Sequence, residues 1–383
     1  MSDQATLNHA ARVLAGISAD RRADSALRSY FERHRRLPAA LKRGITRAAF
    51  VHFRWISWLD PDASPQARLG QALARQERFL ADPGSVKPEA LAARAVPPWL
   101  WSELSFDGPE AGGPAAKTEY LRQLQRDPTL WLRARPGQGA ALARSLSAAA
   151  PTPHAPDAVR FTGTQDLFRT EQFRSGEFEI QDLASQLVGH AAAPRPGETW
   201  WDACAGEGGK TLHLADLMGN KGLVWATDRH EKRLETLRRR AARARVFNYR
   251  AAAWDGSARL PTKTRFDGIL VDAPCSGVGT WQRNPHARWT TGPGDVRELA
   301  AVQRSLLEAV AGSLRPGGRL VYAVCTLTRS ETTEIAAAFT AAHPEFEPVP
   351  PFPSAAVPPP NFVFFWPHLI DANGMFIATW RRR

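Results

Sequence analysis

Apolar residues recur at helical spacing through the first eighty positions of this 383-residue chain. Between Leu41 and Leu59 an apolar side chain returns every three or four residues, which predicts an amphipathic helix. Similar patterns predict further helices over Ala11–Ala15, Ala26–Arg36 and Pro65–Ala81. We therefore expect residues 1–92 to form an all-helical domain.

The predicted Leu41–Leu59 helix has one apolar and one basic face. The residues expected to point inward are Leu41, Ile45, Ala48, Phe53, Ile56 and Leu59. Those expected to point largely outward are Lys42, Arg43, Arg47 and Arg54. Such a basic face either contacts RNA, with Arg43 and Arg47 as candidates, or is simply the solvated side of a packing helix.

Net charge strengthens the nucleic-acid interpretation. The chain carries a formal +12, and its first sixty residues contribute half of it, with eleven Lys/Arg against five Asp/Glu. Cationic side chains that neutralise phosphates release counterions, so a basic protein favours a polyanionic partner. RNA or DNA is the expected partner, although an arginine-rich composition also occurs on ordinary solvated surfaces.

The pattern changes after residue 92. Proline and glycine pairs, such as Asp107-Gly108-Pro109, indicate loops, and a boundary is expected there. Thr129–Arg133 predicts one short strand, whereas the alanine- and proline-rich stretch Ala148–Ala158 lacks the large apolar side chains of a core. Residues 93–165 are therefore predicted to be a small mixed subdomain.

Residues 166–383 alternate between predicted strands and helices. The expected strands are Thr199–Asp202, Gly222–Thr227, Val246–Ala252, Phe266–Val271 and Arg319–Val324. The expected helices are Leu183–His190, one through Leu212–Met218, Glu231–Ala244 and Val296–Leu314. This alternation predicts an α/β fold with a doubly wound parallel sheet.

A glycine-rich loop follows the first of these strands. It reads Cys204-Ala205-Gly206-Glu207-Gly208-Gly209-Lys210. Glycines let the backbone approach a ligand closely, and free N–H groups at the following helix favour a carboxylate or phosphate. A P-loop is disfavoured, because that motif requires glycine where this chain has Cys204.

Carboxylates end the next two strands. Asp228, eighteen residues beyond Lys210, is placed to accept from a ribose diol, and it is equally suited to begin the following helix. Asp255 is placed to accept from an adenine amino group, or to make an ordinary loop turn. Together with the loop, these residues predict a nucleotide-cofactor site.

Two cysteines follow strands of the same predicted sheet. Cys325 ends the run Tyr322–Val324, and Cys275 lies fifty positions earlier in Asp272-Ala273-Pro274-Cys275. Ligands bind where such strands end, so both thiols are expected to face one pocket. Cys204 is instead expected to be a small buried residue or a backbone donor in the glycine loop.

Three cysteines make no disulfide framework, and neither a signal peptide nor a membrane-spanning run is apparent. A reducing, cytoplasmic location is the expectation.

On these motifs the chain resembles the RNA cytosine-C5 methyltransferases that use S-adenosylmethionine. The resemblance covers roughly residues 170–383. It rests on Phe173–Asp182, the glycine loop with Lys210-Thr211, Asp272–Gly277, the Arg283/Pro285/Trp289/Gln303 series, Tyr322–Cys325 and Asp371–Ala378. The front of the chain weakly resembles the antitermination-factor-like helical domain of bacterial small-subunit rRNA methyltransferases.

This resemblance implies a Rossmann-like S-adenosylmethionine-dependent methyltransferase sheet, occupying residues 166–383, behind the basic helical domain and the mixed subdomain. It implies that Cys325 adds to cytosine C6, that Cys275 assists release, and that Asp272 hydrogen-bonds the base near N3. Residues 204–210 of the glycine loop, with Asp228, Asp255 and Asp272, would hold the cofactor. No metal is expected, and a monomer acting on RNA, with 16S rRNA favoured, is the prediction.

A stacked base hides C6, so the target must be single-stranded or flipped out. Trp281, Arg283 and Arg288 are candidates to line its path, and ordinary packing or surface charge is the alternative for all three.

Two departures from the family pattern bear on function. Gly206-Glu207 replaces the usual Ala-Pro and adds a negative charge near the expected cofactor, and the run Thr326–Glu331 after Cys325 is also altered. Three alternatives therefore stay open: a tRNA methyltransferase, a non-catalytic RNA-binding assembly factor, and DNA-type chemistry in which Cys275 attacks.

Overall fold

The computed structural model describes residues 3–18, 22–108, 111–353 and 361–383. The chain divides into two compact units. The helical unit spans Met1–Pro128 and Thr280–Pro293, and the sheet unit spans Thr129–Gly279 and Gly294–Arg383. The chain thus leaves the sheet unit after Gly279, contributes one segment to the helical unit, and returns at Gly294.

The helical unit is built from helices that follow the predicted apolar patterns. They are α1 (Gln4–Leu14), α2 (Ala23–Arg33), α3 (Ala39–Trp55), α4 (Pro65–Ala81), α5 (Pro88–Arg94) and α6 (Ala116–Leu124). Local contacts explain where α4 begins. Ser64 accepts from the Ala67 N–H at 3.2 Å, and Pro65 occupies the first turn, where its missing N–H costs nothing.

The bounds of the two units differ from the predicted domain limits at residues 92 and 165. α5, α6 and the 3-10 turn Pro98–Ser102 all belong to the helical unit, which reaches Pro128. Their buried residues, including Leu91, Leu100 and Tyr120, supply apolar surface to the helical interior. The Pro/Gly-rich composition predicted loops correctly. A loop inside a unit, however, has the same composition as a linker between two units, so the composition placed the boundary wrongly.

The interior of the helical unit also contains polar side chains, and two of them illustrate how buried polar groups are paired. The indole N–H of Trp55, on α3, donates to Gln76 Oε1 at 2.7 Å, and both residues are fully buried. Arg54 was predicted to point largely outward, which is wrong: its side chain is 1% exposed. It donates to Asp127 at 2.7 Å, and this paired carboxylate is what makes burial of the cation tolerable.

A small antiparallel sheet opens the sheet unit. Its elements are β1 (Leu130–Ala134), α7 (Gly139–Ser145), β2 (Ala149–Thr152), β3 (Ala155–Phe161), α8 (Glu171–Arg174) and β4 (Phe178–Ile180), with strand order β2-β3-β1-β4. The expectation that Ala148–Ala158 makes no core is wrong, because Ala155 and Ala158 are buried on β3. Backbone pairing holds these small residues in place: Ala158 lies opposite Arg133 of β1, and Ala155 lies opposite Thr152 of β2.

The larger sheet carries the predicted alternation. Its elements are α9 (Leu183–Ala192), β5 (Thr199–Asp202), α10 (Gly209–Leu217), β6 (Leu223–Asp228), α11 (Glu231–Arg243), β7 (Tyr249–Ala253), β8 (Phe266–Asp272), α12 (Pro293–Ala311), β9 (Leu314–Val324), α13 (Thr333–Ala342), β10 (Phe346–Val349), β11 (Phe362–Phe365), α14 (Pro367–Ile370) and β12 (Met375–Arg382). The last predicted helix was too long, since Leu314 already belongs to β9.

The strand order of this sheet is β10-β12-β9-β8-β5-β6-β7, with β11 paired to β12. Strands β5 to β9 run parallel, and β12 is antiparallel to β9. From β5 the chain continues first to β6 and β7 on one side, and then to β8 and β9 on the other. The switch point therefore lies between β5 and β8, where ligands bind in open α/β sheets.

Both faces of the sheet are covered by apolar side chains. Trp201, Val271 and Tyr322 belong to the core on one face, and Trp200 and Val321 to the core on the other. Two buried faces explain the apolar runs Ile269–Val271 of β8 and Leu320–Val324 of β9. Among the residues that the structure describes, no helix is long and apolar enough to cross a bilayer.

Candidate active site

The two predicted thiols meet at the carboxyl ends of β8 and β9. The Sγ atoms of Cys275 and Cys325 are 3.3 Å apart, a hydrogen-bonding contact between free thiols. Backbone bonds fix the two loops: Ala273 N donates to Ala323 O at 3.0 Å, and Gly279 N donates to Cys325 O at 3.1 Å. The hydrogen bond to Cys325, together with burial, raises the pKa of the Cys275 thiol well above its ordinary value.

A partly buried ion pair lies beside the thiols. The ammonium of Lys210, at the start of α10, donates to Asp272 Oδ2 at 2.8 Å, and the Lys210 side chain is 11% exposed. Burial acts to lower the pKa of Lys210, but Asp272, and to a smaller extent Cys325, outweigh it and raise that pKa. Lys210 therefore carries a positive charge whose field reaches the Cys325 sulfur.

Glu331 joins the loop that carries Cys275 to the loop that follows Cys325. Its fully buried carboxylate accepts from Ser276 N at 2.9 Å, from Gln303 Nε2 at 3.0 Å and from Thr328 Oγ1 at 2.7 Å, and also from the Ser276 hydroxyl. The Tyr322 hydroxyl donates to the Glu331 carbonyl at 2.7 Å. One carboxylate thus fixes the backbone next to both thiols.

We expect Glu331→Gln to destabilise the protein by about 2 kcal/mol, because hydrogen bonds to a charged acceptor are replaced and the new amide N–H₂ faces donors. Urea unfolding measures the change. The matched control is Glu334→Gln, three residues on, where an exposed carboxylate pairs with exposed Arg329 at 3.1 Å. That variant should change stability by less than about 0.5 kcal/mol. Equal effects in the two variants would contradict the assigned role of Glu331.

The glycine loop after β5 forms an open cradle. α10 begins without a side-chain cap, so the N–H groups of its first turn remain available to an anionic group. Beneath the loop, Asp202 is fully buried, and burial raises its pKa to about 7. Its Oδ2 accepts from Thr211 at 2.7 Å, whereas its Oδ1 has no hydrogen-bond partner among the described residues. These features fit a bound nucleotide cofactor.

The strand-end carboxylates behave differently from one another. Asp228, at the end of β6, is buried and accepts from Gly206 N at 3.0 Å and His230 N at 2.8 Å, so it fixes the glycine loop and leaves lone pairs for a ligand hydroxyl. Asp255 is exposed and accepts from Ser257 N at 3.0 Å, the turn geometry considered above. In the glycine loop, the side chain of Glu207 is exposed. Burial raises the pKa of the Cys204 thiol in the same loop.

Gly208 is the residue of the loop that tolerates no side chain. Its φ is +85°, and an added Cβ would lie 2.5 Å from Leu237 Cγ on α11. We expect Gly208→Ala to lose stability and cofactor affinity together. Gly219→Ala is the control, since Gly219 has φ +59° but open space around its Cα. It should show only the left-handed strain, about 1–2 kcal/mol. Urea unfolding should show a larger loss of stability in Gly208→Ala than in Gly219→Ala. Adding Leu237→Ala to Gly208→Ala should recover part of the stability lost to the steric clash. No difference between them would refute the steric argument.

Two of the RNA-binding candidates are not on a surface. Trp281 and Arg288 lie in the segment that joins the helical unit, and both are fully buried. Arg288 donates to the carbonyls of Trp281 at 3.2 Å and Ala95 at 3.3 Å, and also to that of Leu124. The prediction that these two line the path of RNA is contradicted, because the packing alternative accounts for both. Burial lowers the pKa of Arg288 to about 9.

The other three RNA-binding candidates lie together on the helical unit. Arg43, Arg47 and Arg283 are exposed and line one cleft beside α3. Their spacing along the chain gave no sign that Arg283 would join the two arginines of α3. Among the described residues, no group of three or more His, Cys, Asp or Glu side chains could hold a metal ion.

Comparison with known proteins decides the family. The sequence model described as "16S rRNA methyltransferase RsmB/F" matches residues 190–381, half of the chain. The chain belongs to this family. The matched residues include the glycine loop, both thiols and Asp272, so the predicted resemblance is confirmed.

Individual relatives of this RsmB/F family member agree with the fold. It is similar to a probable ribosomal RNA small subunit methyltransferase B of Bacillus subtilis, 38% identical over 60% of this chain and 53% of that protein. The chain thus spans about half the length of that curated relative. A crystal structure of a methyltransferase homolog protein from Pyrococcus horikoshii is 27% identical and superimposes with a TM-score of 0.62, covering 72% of this chain and 92% of that one.

The crystal structure of PH0851 superimposes over 100% of both chains with a TM-score of 0.79 and 22% identity. The predicted Rossmann-like methyltransferase fold with a helical region in front is confirmed by these superpositions.

Sequence reasoning missed Glu331 and Asp202 as parts of the site. Glu331 was noted only as a departure from the family pattern, although a carboxylate among hydroxyl residues six positions after a strand-end cysteine was a usable signal. Asp202 was seen as the last residue of a strand. Neither role follows from chain spacing, because the partners Ser276 and Thr211 are brought in by other elements.

Proposed function

We propose that this RsmB/F family member transfers a methyl group from S-adenosylmethionine to C5 of a cytosine in RNA, through a covalent bond between Cys325 and cytosine C6. The observation that carries the proposal is the thiol pair, 3.3 Å apart beside the Lys210–Asp272 ion pair. The family and the uncapped glycine loop support S-adenosylmethionine as cofactor.

The chemistry uses the thiols in two different states. Cytosine C5 is a poor nucleophile until the thiolate of Cys325 adds to C6, which leaves electron density on C5. S-adenosylmethionine, when bound, supplies an electrophilic methyl group on its sulfonium. After the C5–methyl bond has formed, C5 loses its proton to a base and the C6–S bond breaks, which restores the aromatic ring and frees the enzyme.

The Lys210 charge supports Cys325 as the nucleophile. A nearby cation favours a thiolate over a thiol, and Lys210 is held charged by Asp272. Cys275 has the opposite setting, since its raised pKa keeps it protonated at neutral pH. As the C6–S bond breaks, the Cys275 S–H can donate a hydrogen bond to the departing Cys325 thiolate and stabilise this leaving group while keeping its own proton, which is the assistance to release.

Asp272 is placed to recognise the base. Addition at C6 makes cytosine N3 more basic, and a carboxylate that accepts an N3–H hydrogen bond stabilises the adduct. Asp272 is 28% exposed beside the thiols, so its carboxylate can reach a base while it still pairs with Lys210. For the cofactor we propose residues 204–210 and Asp228 as the binding loop and ribose acceptor, with Asp255 toward the adenine and Asp272 at the methyl-donor side.

Ribosomal RNA of the small subunit is the proposed substrate. The names of the relatives and the concentration of positive charge in the front of the chain both support RNA. The test is transfer of labelled methyl groups from S-adenosylmethionine to naked 16S rRNA and to bulk tRNA. Label in 16S rRNA alone is the expected result. Label in tRNA alone would favour the tRNA alternative, and no label with no measurable cofactor binding would favour a non-catalytic assembly factor.

A further inference from the structure

A basic cleft lies on the helical unit, and its lining includes none of the residues assigned to methyl transfer. We call it the α3 cleft. It has a volume of about 460 Å³ and is lined by Lys42, Arg43, Arg47, Phe50, Asp127 and Arg283, among others. All of these residues belong to the helical unit, although Arg283 is contributed by the segment that interrupts the sheet unit.

Positive charge dominates the α3 cleft. α3 has no Asp or Glu in its seventeen residues. Asp127 is the acidic residue of the lining, and its carboxylate is already occupied by buried Arg54 at 2.7 Å and by Arg47 at 3.6 Å. The remaining cations of the cleft are therefore not neutralised by it.

Arg43 and Arg283 are the cations most available to a ligand. Both are exposed, and neither guanidinium has an ion-pair or hydrogen-bond partner among the described residues. Arg43 and Arg47 are also four residues apart on α3, where like charges destabilise a helix slightly. An external anion would relieve that repulsion.

Phe50 gives the cleft an apolar wall. It lies two helical turns beyond Arg43 on the same helix and is only partly buried. An aromatic side chain next to arginines is the usual composition of a surface that binds single-stranded nucleic acid, in which bases stack and phosphates meet cations. The cleft volume falls within the range of sites for small organic ligands, which accommodates one nucleotide.

From this juxtaposition we propose that the α3 cleft binds the backbone of single-stranded RNA, with phosphates on Arg43 and Arg283 and one base against Phe50. The inference deepens the proposed function, on which it rests for the identity of the RNA. The helical unit would then bind the substrate RNA without regard to the RNA sequence, since phosphates carry no base information.

Binding of a fluorescein-labelled 12-nucleotide single-stranded RNA to the full chain tests the cleft, by anisotropy at several KCl concentrations. Arg43→Ala/Arg283→Ala should bind at least tenfold more weakly. It should also lower the slope of log affinity against log salt by about 1.4, since each phosphate contact contributes about 0.7. The control, Arg28→Ala/Arg78→Ala, removes two exposed arginines of α2 and α4 outside the cleft and should leave both quantities near wild type.

A second variant separates stacking from charge. Phe50→Leu keeps an apolar side chain but removes the ring, so affinity should fall about tenfold with an unchanged salt slope. Wild-type affinity and slope in Arg43→Ala/Arg283→Ala, or equal losses in the control pair, would overturn the proposal.

Methyl-transfer assays on the same variants keep the two proposals apart. With the cleft weakened, KM for RNA should rise while kcat at saturating RNA stays near wild type. If the wild-type protein methylates no RNA but the cleft variants still lose RNA affinity, the proposed reaction fails and the cleft stands. If wild type methylates RNA and the cleft variants keep both affinity and KM, the cleft assignment fails alone.

Discussion

Cys325→Ala is expected to abolish methyl transfer, with kcat lowered on the order of 10⁶-fold, the size that follows removal of a catalytic nucleophile. Without the sulfur, nothing adds to C6 and C5 stays unreactive. Cys275→Ala should behave in the opposite way. Cys325 can still attack in this variant, but the S–H that stabilises the departing sulfur from 3.3 Å away is missing, so the protein should accumulate as a covalent complex with RNA. Denaturing gels of protein mixed with RNA and S-adenosylmethionine show such a complex directly.

The double variant Cys275→Ala/Cys325→Ala is the control for this pair. It should form no covalent complex, because the complex in Cys275→Ala depends on Cys325. DNA-type enzymes place the attacking thiol in a Pro-Cys loop, which here would be Cys275. A trapped complex in Cys325→Ala, with none in Cys275→Ala, would reverse the two roles.

Asp272→Asn is expected to have the second largest effect, a fall in kcat of about 10²–10⁴-fold, the usual range for loss of a proton-handling group. The change removes the acceptor proposed for cytosine N3. It also removes the charge that does most to raise the pKa of Lys210, whose side chain is 11% exposed. An unpaired buried ammonium tends to lose its proton, and the thiolate of Cys325 then loses its cationic neighbour.

Stability must be measured beside activity in Asp272→Asn, because breaking a buried ion pair also destabilises the fold. The control is Asp166→Asn, an exposed carboxylate of the same unit that pairs with exposed Arg169 at 3.4 Å. It should keep wild-type kcat. If folded Asp272→Asn also kept kcat within a factor of about three, Asp272 would have no part in the reaction.

Much of the sheet unit could be predicted from sequence because its signals are local. β5 was predicted at Thr199–Asp202 and is observed at the same residues, and β6 to β9 overlap their predicted positions. Buried parallel strands are apolar on both faces, and β5, β6 and β8 each end in an aspartate. The meeting of Cys275 and Cys325 followed from the same rule about strand ends, before any distance was known.

What sequence could not give depends on contacts between distant positions. Arg54 falls on the polar face of α3 by spacing, yet Asp127, seventy-three residues later, allows it to be buried. Trp281 and Arg288 were predicted to line the path of the target base, but their segment folds into the helical unit, where Arg288 donates to the carbonyls of Ala95 and Leu124. The position of a charged residue in the sequence does not indicate whether a distant residue will pair with it and allow its burial.

The most direct test of the central claim is the identity of the methylated nucleoside. RNA incubated with the protein and deuterium-labelled S-adenosylmethionine can be digested to nucleosides and analysed by mass spectrometry, for wild type and for Cys325→Ala. The account predicts label in 5-methylcytidine with wild type and none with Cys325→Ala. Label in any other nucleoside, or 5-methylcytidine that persists in Cys325→Ala, would contradict it.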